Sequence, residues 1–294
     1  MKKLVASLFS LALVAGVGVT TVVAQDHAAA PAGGEEHAEG GTPHFPIKHP
    51  KQEEWSFSGP FGHYDKGQLQ RGLKVYKEVC SACHSMKLVS FRTLESLGYS
   101  EAQVKAFASE YEVQDGPNDD GEMFTRKGVP SDYFPSPYPN DQAAAAANNG
   151  AAPPDMSLLA KARGITRGFP QFIVDIFTQY QEGGPDYIHS LLTGYEQAPA
   201  GVEVAEGTHY NPYFANAAAL AMAPPISNDQ VTYEDGSPQT VDQYARDVSA
   251  FLMWAAEPHL EERKRTGFMV MVFLLIFTGL IYLTKKSVYA NKEH

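Results

Sequence analysis

The residues with the clearest chemical potential are Cys80, Cys83 and His84. The 294-residue chain contains two cysteines, which stand three positions apart, and the histidine directly follows the second. A Cys-x-x-Cys-His sequence is the pattern that attaches c-type haem. On a helical turn, two thiols at this spacing reach the two vinyl groups on one edge of the porphyrin, and the adjacent imidazole coordinates the iron. The sequence therefore predicts one covalently attached haem c, with His84 as an iron ligand.

Other uses of a cysteine pair do not fit the surrounding sequence. A redox disulfide of the thioredoxin type requires a βαβ setting, and no segment shows the alternation of apolar and polar residues that predicts a strand. A zinc site requires further cysteine or histidine ligands at motif spacing, which the chain lacks. Four histidines lie at irregular spacing within residues 25–50, and we interpret them as part of a solvated tail: His27, His37, His44 and His49.

The sixth iron ligand determines what such a haem does. An open site binds or activates small molecules, whereas a methionine thioether gives a closed haem suited to electron transfer. Met222 precedes Ala223-Pro224-Pro225 on a predicted loop, and two prolines restrict the motion of such a loop. We therefore prefer Met222 as the ligand opposite His84. Met123 and Met156 are the other candidates, and a buried core position is the alternative role for Met222.

Two long amphipathic helices are predicted to position the motif. The first begins at Asp65 and runs directly into Cys80, and the second begins at Thr240 and is interrupted by Pro258. The fold class is therefore mainly α, a haem domain with long loops. Shorter helices are expected near residues 157–163, 170–181 and 185–193. Residues 110–153, with one short helix, and residues 195–227 are predicted to be mostly loop.

Both ends of the chain are predicted to lie outside the haem domain. A basic start, an apolar run over residues 4–19, and small residues at Val22 and Ala24 form a secretory signal peptide that is cleaved after Ala24. Near the other end, the seventeen residues from Gly267 to Leu283 carry no charge. With the flanking threonines they extend about 28 Å as a helix, which is enough to cross a bilayer core.

These features divide the chain into five segments. The signal peptide places the large domain on the exported side of the membrane, so we expect a single-pass protein of a bacterial inner membrane with its haem domain in the periplasm. The predicted segments are a signal peptide (1–24), a disordered linker rich in Ala, Gly, Glu and His (25–50), a periplasmic haem domain (51–260), a membrane anchor with its basic lead-in (261–284) and a cytoplasmic tail (285–294).

The net charge disfavours one class of partner. Removing Lys2 and Lys3 from 23 basic residues leaves 21, against 34 acidic residues, a net charge of −13. Proteins that bind nucleic acid present a basic surface to its phosphates, so nucleic acid is not an expected partner. A basic protein partner, attracted by electrostatic steering, is favoured instead. The candidate docking side chains are Glu112, Asp115, Asp119, Asp120 and Glu122.

A series of motifs in this chain resembles the cytochrome c1 family. Together with the haem motif and the single C-terminal span, they cover most of residues 55–290, and their order matches that of the family. Such a set is far more specific than the haem motif alone. The motifs are Trp55–Gly62, Leu69–Gly72, Ala147–Gly150, Pro153–Ser157, Ser190–Tyr195, Asn211–Phe214, Met222–Pro225 and Phe251–Pro258.

The resemblance implies a fold, a role and a set of partners. The family has a class I cytochrome c fold with loop insertions and belongs to the cytochrome bc1 complex, a quinol–cytochrome c oxidoreductase. Its members take an electron from the Rieske iron–sulfur protein and pass it to a soluble or tethered cytochrome c. Cytochrome b, membrane lipid and a dimeric complex are implied as well. The chain is expected to be an electron-transfer subunit rather than an enzyme on its own.

The resemblance also assigns residues around the haem. It implies that Met222 is the axial ligand opposite the motif's histidine. Arg163 matches the arginine that pairs with a haem propionate, a sensible match because a guanidinium holds a carboxylate through two parallel hydrogen bonds. Tyr187 matches a second propionate contact, and Asn148 and Pro154 match residues that line the haem pocket.

Two further functions stay open at the level of sequence. The first is a different membrane-anchored c-type cytochrome, one that serves a terminal oxidase. The second is a haem sensor or peroxidase with an open iron site, which would bind carbon monoxide when reduced. One departure from the family is visible, since residues 165–184 are longer than in its shortest members.

Overall fold

The computed structural model describes residues 45–165, 167–178 and 180–290, without the side chains of residues 176 and 177. The predicted signal peptide, most of the predicted linker with His27, His37 and His44, and the last four residues lie outside the described residues. The helices are α1 (Lys66–Glu78), α2 (Glu101–Ser109), α3 (Asp141–Ala147), α4 (Leu159–Ala162), α5 (Gln171–Thr178), α6 (Gly183–Thr193), α7 (Val241–Ala256) and α8 (Leu260–Tyr289). Two 3₁₀ turns, Cys80–Ala82 and Phe91–Leu97, complete the helical elements.

The two predicted long helices form as expected and cross one another in the core. Asp65 caps α1 by accepting a hydrogen bond from the backbone N–H three residues on, and Thr240 caps α7 in the same way. Each cap satisfies one of the backbone donors left unpaired at a helix start. The core that the two helices share is aromatic and aliphatic, and its largest fully buried side chains include Leu69, Leu73, Tyr76, Tyr244, Phe251 and Trp254.

The closest approach of α1 to α7 occurs at Gly72. A Cβ atom added there would lie 2.1 Å from the backbone oxygen of Asp247 and 2.6 Å from the Cβ of Phe251. Beside this contact the carboxylate of Asp247, which is fully buried, accepts hydrogen bonds from Arg71 Nε at 2.9 Å and Nη2 at 3.2 Å. A two-pronged guanidinium pair of this kind compensates the cost of burying a charge. The crossing is therefore fixed by both packing and charge.

Four short strands correct the expectation that the chain contains none. Strands β1 (Glu112–Asp115) and β2 (Phe124–Lys127) form an antiparallel hairpin, and β3 (His209–Tyr210) pairs with β4 (Ala219–Leu220). Both pairs lie in regions predicted to be mostly loop, residues 110–153 and 195–227. These strands are only two to four residues long, so they lack the run of alternating apolar residues by which a strand is predicted. The architecture remains mainly helical.

Helix α8 contains the predicted membrane span and extends beyond it on both sides. Its most apolar window has a mean hydropathy of 2.3, and none of that window is buried within the protein. The first turns of α8 are bound to the haem domain, because Lys264 Nζ donates to the carbonyl oxygen of Phe57 at 2.6 Å and the N–H of Tyr64 donates to Glu261 at 2.8 Å. Thirty residues of helix are long enough to cross a bilayer.

Substitution of Gly72 by alanine should destabilise the protein. The added methyl group would overlap backbone on α7, so we expect the free energy of unfolding to fall by about 1–3 kcal/mol. Denaturant unfolding of the haem-loaded protein in detergent, followed by circular dichroism, measures this change.

Gly67 provides a matched control on the same helix. A Cβ at Gly67 meets only the side chains of Asp65, at 3.3 Å, and Arg71, at 3.8 Å. Gly67→Ala should therefore leave the stability unchanged or raise it by about 0.5–1 kcal/mol, as alanine is the better helix former. Equal stability of Gly72→Ala and the wild type would contradict a tight crossing.

Candidate haem-binding site

The two cysteines lie on a tight turn directly after α1. Cys80 begins the 3₁₀ turn, and its carbonyl oxygen accepts hydrogen bonds from the N–H of Cys83 at 3.1 Å and of His84 at 2.9 Å. Both thiols are free rather than joined in a disulfide. The turn thus places the three residues of the motif together, as the sequence predicts.

The environment of Cys80 does not suit redox chemistry at sulfur. Burial raises the pKa of its thiol to about 12, with a further contribution from the neighbouring Cys83. Catalytic disulfide pairs depend on a thiol pKa below the ordinary value, because the thiolate is the reactive form. The raised pKa of Cys80 therefore gives no support to thiol–disulfide exchange.

His84 is buried and its ring is oriented by one strong contact. Its Nδ1 lies 2.8 Å from the carbonyl oxygen of Pro154, so Nδ1 carries the proton and donates it to that oxygen. Burial lowers the pKa of the imidazole, against the opposing effects of this hydrogen bond and of Asp155. The ring is therefore neutral, and Nε2 is left with a lone pair for a metal ion. A histidine ligand oriented by a hydrogen bond at its second nitrogen is the usual arrangement at metal centres.

Asp155 holds the segment after His84 against the segment around Pro154. Its carboxylate accepts hydrogen bonds from Ser85 Oγ at 2.7 Å, from the N–H of Lys87 at 2.9 Å and from the N–H of Ser157 at 2.9 Å. Burial favours the protonated carboxyl, but these hydrogen bonds outweigh it and hold the pKa of Asp155 below its ordinary value. The ionised side chain thus fixes the carbonyl that orients the imidazole.

Met222 lies two residues after the end of β4 and is positioned by contacts to its backbone. The hydroxyl of Tyr195 donates to the carbonyl oxygen of Met222 at 3.1 Å. Asn211, which is fully buried, donates from its side chain to the carbonyl of Leu191 at 2.7 Å and from its backbone to Ala218 at 2.9 Å. The loop that carries Met222 is therefore bound to the end of α6.

The other methionines of the haem domain have different surroundings. Met156 is buried, and its N–H donates to the carbonyl of Ser85 at 2.8 Å, so it belongs to the segment that supports His84. Met123 is 56% exposed between β1 and β2. Met222 is half-buried on a separate loop, which agrees with the preference for it as the opposite ligand. That assignment stays a prediction.

Arg163 and Tyr187 lie close together because α4 and α6 pack in near contact. A Cβ on Gly184 would lie 1.4 Å from the backbone oxygen of Ala160, so only glycine fits there. The Tyr187 hydroxyl is buried and accepts a hydrogen bond from the N–H of Ala215 at 3.3 Å. Burial raises the pKa of Tyr187, although Ala215 and the nearby positive charge of Arg163 act in the opposite direction. Among residues 45–165, 167–178 and 180–290 the Arg163 side chain has no hydrogen-bond partner, which leaves its guanidinium available for a carboxylate.

Asn148 and Pro154 have different roles from one another. Asn148 ends α3, and its side chain donates to the carbonyl of Ala144 at 2.7 Å and to the hydroxyl of Tyr138 at 3.1 Å. Pro154 acts through the carbonyl that holds His84. A cavity of about 20 Å³ lies between the attachment turn and α3, and its lining includes Cys83, Ser85, Tyr138, Ala144 and Pro153.

The donor set as a whole fits a covalently bound haem. Two unbonded thiols, an imidazole with one nitrogen engaged, a thioether and an arginine that has no hydrogen-bond partner among the described residues match what attachment, axial ligation and propionate binding require. Comparison with known proteins agrees with this chemistry. The model of the Cytochrome C1 family matches residues 55–292.

The chain belongs to the cytochrome c1 family. Cytochrome c1 of Rhodospirillum rubrum is 46% identical over 259 residues, which cover 83% of this chain and 88% of that protein. Cytochrome c1 of Blastochloris viridis is 46% identical over 281 residues, 94% of this chain and 93% of that protein. Cytochrome b/c1 of Bradyrhizobium diazoefficiens is 60% identical over 248 residues, which cover 83% of this chain but about a third (36%) of that longer protein.

Membership of the cytochrome c1 family confirms three of the predictions made from sequence. The fold class, the single haem c cofactor and the role of an electron-transfer haem subunit of a bc1 complex agree with the family. A protein anchored in a membrane by one helix agrees with it too. The individual haem contacts, the iron ligands among them, stay predictions.

Sequence reasoning missed three residues that support the site. Asp155 holds the segment of His84, while Tyr195 and Asn211 hold the loop of Met222. The Asp155-x-Ser157 spacing is a signal for a side chain that binds the backbone two residues on. The contacts of Tyr195 and Asn211 join residues about 20 to 27 positions apart, and no local pattern indicates them.

Asp155→Asn should weaken the support of His84. A carboxylate has two acceptor oxygens, whereas an amide has one. The NH2 group of the asparagine would therefore face a backbone N–H that now donates to the carboxylate, and two donors cannot form a hydrogen bond. We expect a loss of about 1 kcal/mol of stability, because Asp155 is half-buried and water can partly replace the lost hydrogen bond. Asp119→Asn, at an exposed position on the β1–β2 turn, is the charge-matched control.

The effect of Asp155→Asn should depend on pH. Because the carboxyl pKa is lowered on folding, its ionised form stabilises the fold above the ordinary aspartate pKa of about 4. This contribution is lost as the pH falls through the lowered value, so the two proteins should become equally stable in strong acid. Unfolding monitored by haem absorbance at several pH values measures the difference. A difference that stays constant into strong acid would contradict the assignment.

Proposed function

We propose that this chain receives electrons from a Rieske iron–sulfur protein and passes them to a soluble or tethered cytochrome c. In this proposal it works beside cytochrome b within a dimeric quinol–cytochrome c oxidoreductase of the translocase class. It carries the electron but has no complete enzyme activity of its own. The family match over residues 55–292, together with the oriented imidazole of His84, is the observation that carries the proposal.

The chain's own residues supply rigid iron ligation. When bound, haem supplies an iron that gains and loses one electron. Rapid transfer requires that the ligands hardly move between the two states, and this chain restrains both of its proposed ligands. His84 is held by the carbonyl of Pro154, which Asp155 fixes in turn. Met222 is held through its backbone by Tyr195.

Placement in the membrane follows from the two ends of the chain. The signal peptide predicted for residues 1–24 would export the haem domain to the periplasm of a bacterial cell, leaving residues 285–294 in the cytoplasm. Helix α8 would then anchor the domain in the inner membrane by a single span. The haem domain would lie on the side where electron-carrying cytochromes of the periplasm reach it.

Met222→Leu should open the sixth coordination position of the iron. We expect the reduced wild type not to bind carbon monoxide. The reduced variant should bind it, because leucine has no sulfur to coordinate the iron. The midpoint potential of the variant should fall by at least ~0.1 V, since axial ligands control haem potentials over a wide range. Reduced-minus-oxidised optical spectra with and without carbon monoxide, followed by a redox titration, measure both effects.

Met156→Leu and Met123→Leu serve as controls for this experiment. Both should retain a closed iron site and a nearly unchanged potential. If Met156→Leu opens the site instead, the ligand has been misassigned. If the wild type already binds carbon monoxide, the chain is a sensor or peroxidase rather than an electron carrier.

The acidic hairpin is proposed as the docking surface for a basic acceptor. On β1 and β2, Glu112 and Asp115 already pair with Lys127 and Arg126. The turn between the strands is shaped by Asn118, whose side chain accepts two backbone hydrogen bonds. In the part of the chain that the structure describes, three exposed carboxylates of this turn have no basic partner: Asp119, Asp120 and Glu122.

Neutralising these three carboxylates should slow the reaction with a basic cytochrome c. Screening weakens attraction between exposed charges, so the wild-type bimolecular rate should fall as salt is added, and the triple amide variant should start slower and depend less on salt. Stopped-flow kinetics across a salt series provides the measurement. The variant carries Asp119→Asn, Asp120→Asn and Glu122→Gln.

A second triple variant controls for the change in net charge. It removes three exposed carboxylates from other parts of the domain and should keep most of the wild-type rate and salt dependence. Equal slowing by both variants would argue that overall charge, and not this hairpin, guides the acceptor. The control carries Glu54→Gln, Glu95→Gln and Glu234→Gln.

A further inference from the structure

Helix α5 presents an apolar surface that the haem domain does not cover. Its side chains Phe172, Ile173 and Val174 are 49%, 41% and 52% exposed, and Phe169 just before the helix is 79% exposed. Of the α5 side chains that the structure describes, only Asp175 is even half-buried. A contiguous apolar patch on a protein surface marks a site of interaction. This helix lies in the segment 165–184, which is longer than in the shortest family members.

The polar residues of α5 lie on one side of the helix. Successive residues of a helix are rotated by about 100°, so Gln171, Asp175 and Thr178 fall within one narrow arc. The apolar residues occupy the remaining surface. An amphipathic helix with Phe and other large apolar residues on one face can lie flat at a membrane surface, with that face among the lipids.

The two charged side chains of residues 167–178 neutralise one another. Arg167 forms an ion pair with Asp175, and its guanidinium lies 3.8 Å from the centre of the Tyr180 ring. The described residues of the segment 167–178 include no other charged side chain. The apolar surface can therefore enter a medium of low polarity without the cost of burying an unpaired charge.

Both ends of the segment are fixed beside the start of the membrane helix. On one side Lys161 pairs with Glu257, which also pairs with Arg263 of α8. On the other side Arg263 Nη2 donates to Gln181 Oε1 at 3.1 Å. A Cβ on Gly183 would lie 3.1 Å from the backbone oxygen of Ile165. The first and last residues of the segment therefore lie next to each other.

These contacts set the level of the segment relative to the bilayer. Arg263 precedes Gly267, the first residue of the uncharged span, by four positions, which is about 6 Å along a helix. The polar layer on each side of the hydrocarbon core is about 5–8 Å thick. With α8 across the bilayer, as in the proposed function on which this inference rests, Gln181, in contact with Arg263, would lie at the level of the lipid headgroups. Helix α5 ends three residues before Gln181, within about 10 Å of it.

We propose that α5 and Phe169 lie in the headgroup layer of the bilayer and form a second contact of this chain with lipid. A phospholipid surface is favoured over a protein partner because the exposed side chains are apolar and uncharged and lie at the level where α8 enters the membrane. Phe61 gives independent support for that level. It is 75% exposed, and its ring lies 5.6 Å from that of Phe268 in the first uncharged turn of α8.

Photo-crosslinking in native membranes tests the proposal. The photoreactive residue p-benzoyl-phenylalanine, which inserts into nearby C–H bonds, replaces Phe172 or, separately, Ile173 in the full-length chain within its assembled complex. After illumination, mass spectrometry of the chain identifies what has been captured. We expect adducts with the mass of phospholipid at both positions.

The polar side of the same helix supplies the matched control. Gln171→p-benzoyl-phenylalanine should give several-fold less lipid adduct than Phe172, and Met123, far along the chain on the β1–β2 turn, should give none. Capture of another polypeptide at residue 172 would overturn the proposal in favour of a subunit interface. Absence of any adduct at 172 and 173, with normal haem spectra, would overturn it in favour of a surface exposed to water.

Discussion

The contact between α1 and α7 at Gly72 is the constraint on which the haem site depends. Backbone of α7 occupies the space that any side chain at Gly72 would need, and the buried pair of Arg71 and Asp247 fixes the same crossing. Since α1 ends two residues before Cys80, the crossing also sets the position of the attachment turn. A shift of α1 along α7 would move both thiols and the imidazole together. The packing that stabilises the core therefore also determines the geometry of the haem attachment site.

The two proposed iron ligands are supported in different ways. The imidazole of His84 is oriented by a hydrogen bond to the carbonyl of Pro154. The ionised side chain of Asp155 in turn fixes the segment that carries this carbonyl. Met222 is held at a distance, through backbone contacts that bind its loop to the end of α6. The proximal side is thus stiffened by charge-assisted hydrogen bonds, which acid weakens as Asp155 becomes protonated. The distal side rests on neutral hydrogen bonds and is less sensitive to pH.

Local patterns in the sequence predict local structure well in this protein. The caps at Asp65 and Thr240, the turn that follows α1 and the apolar span of α8 all involve residues a few positions apart, so their signals survive in one sequence. The short strands and the bond between Asp155 and Ser85 were missed, because they depend on pairings that only the folded chain creates. The sequence shows that α5 is rich in apolar residues, but it does not show that these residues are exposed. Burial is a property of the surroundings, which the sequence of one segment does not contain.

The order of the chain has a consequence for how the protein is assembled. The groups that close around the attachment turn come later in the sequence, since Pro154 lies 70 residues after His84 and α7 follows at residue 241. A growing chain emerges with its N-terminal part first, so Cys80 and Cys83 are accessible before the residues that enclose them have been made. Haem attachment at this turn therefore does not require the finished pocket. The later segments then close over a turn that already carries its cofactor, and maturation and folding become successive steps of one process.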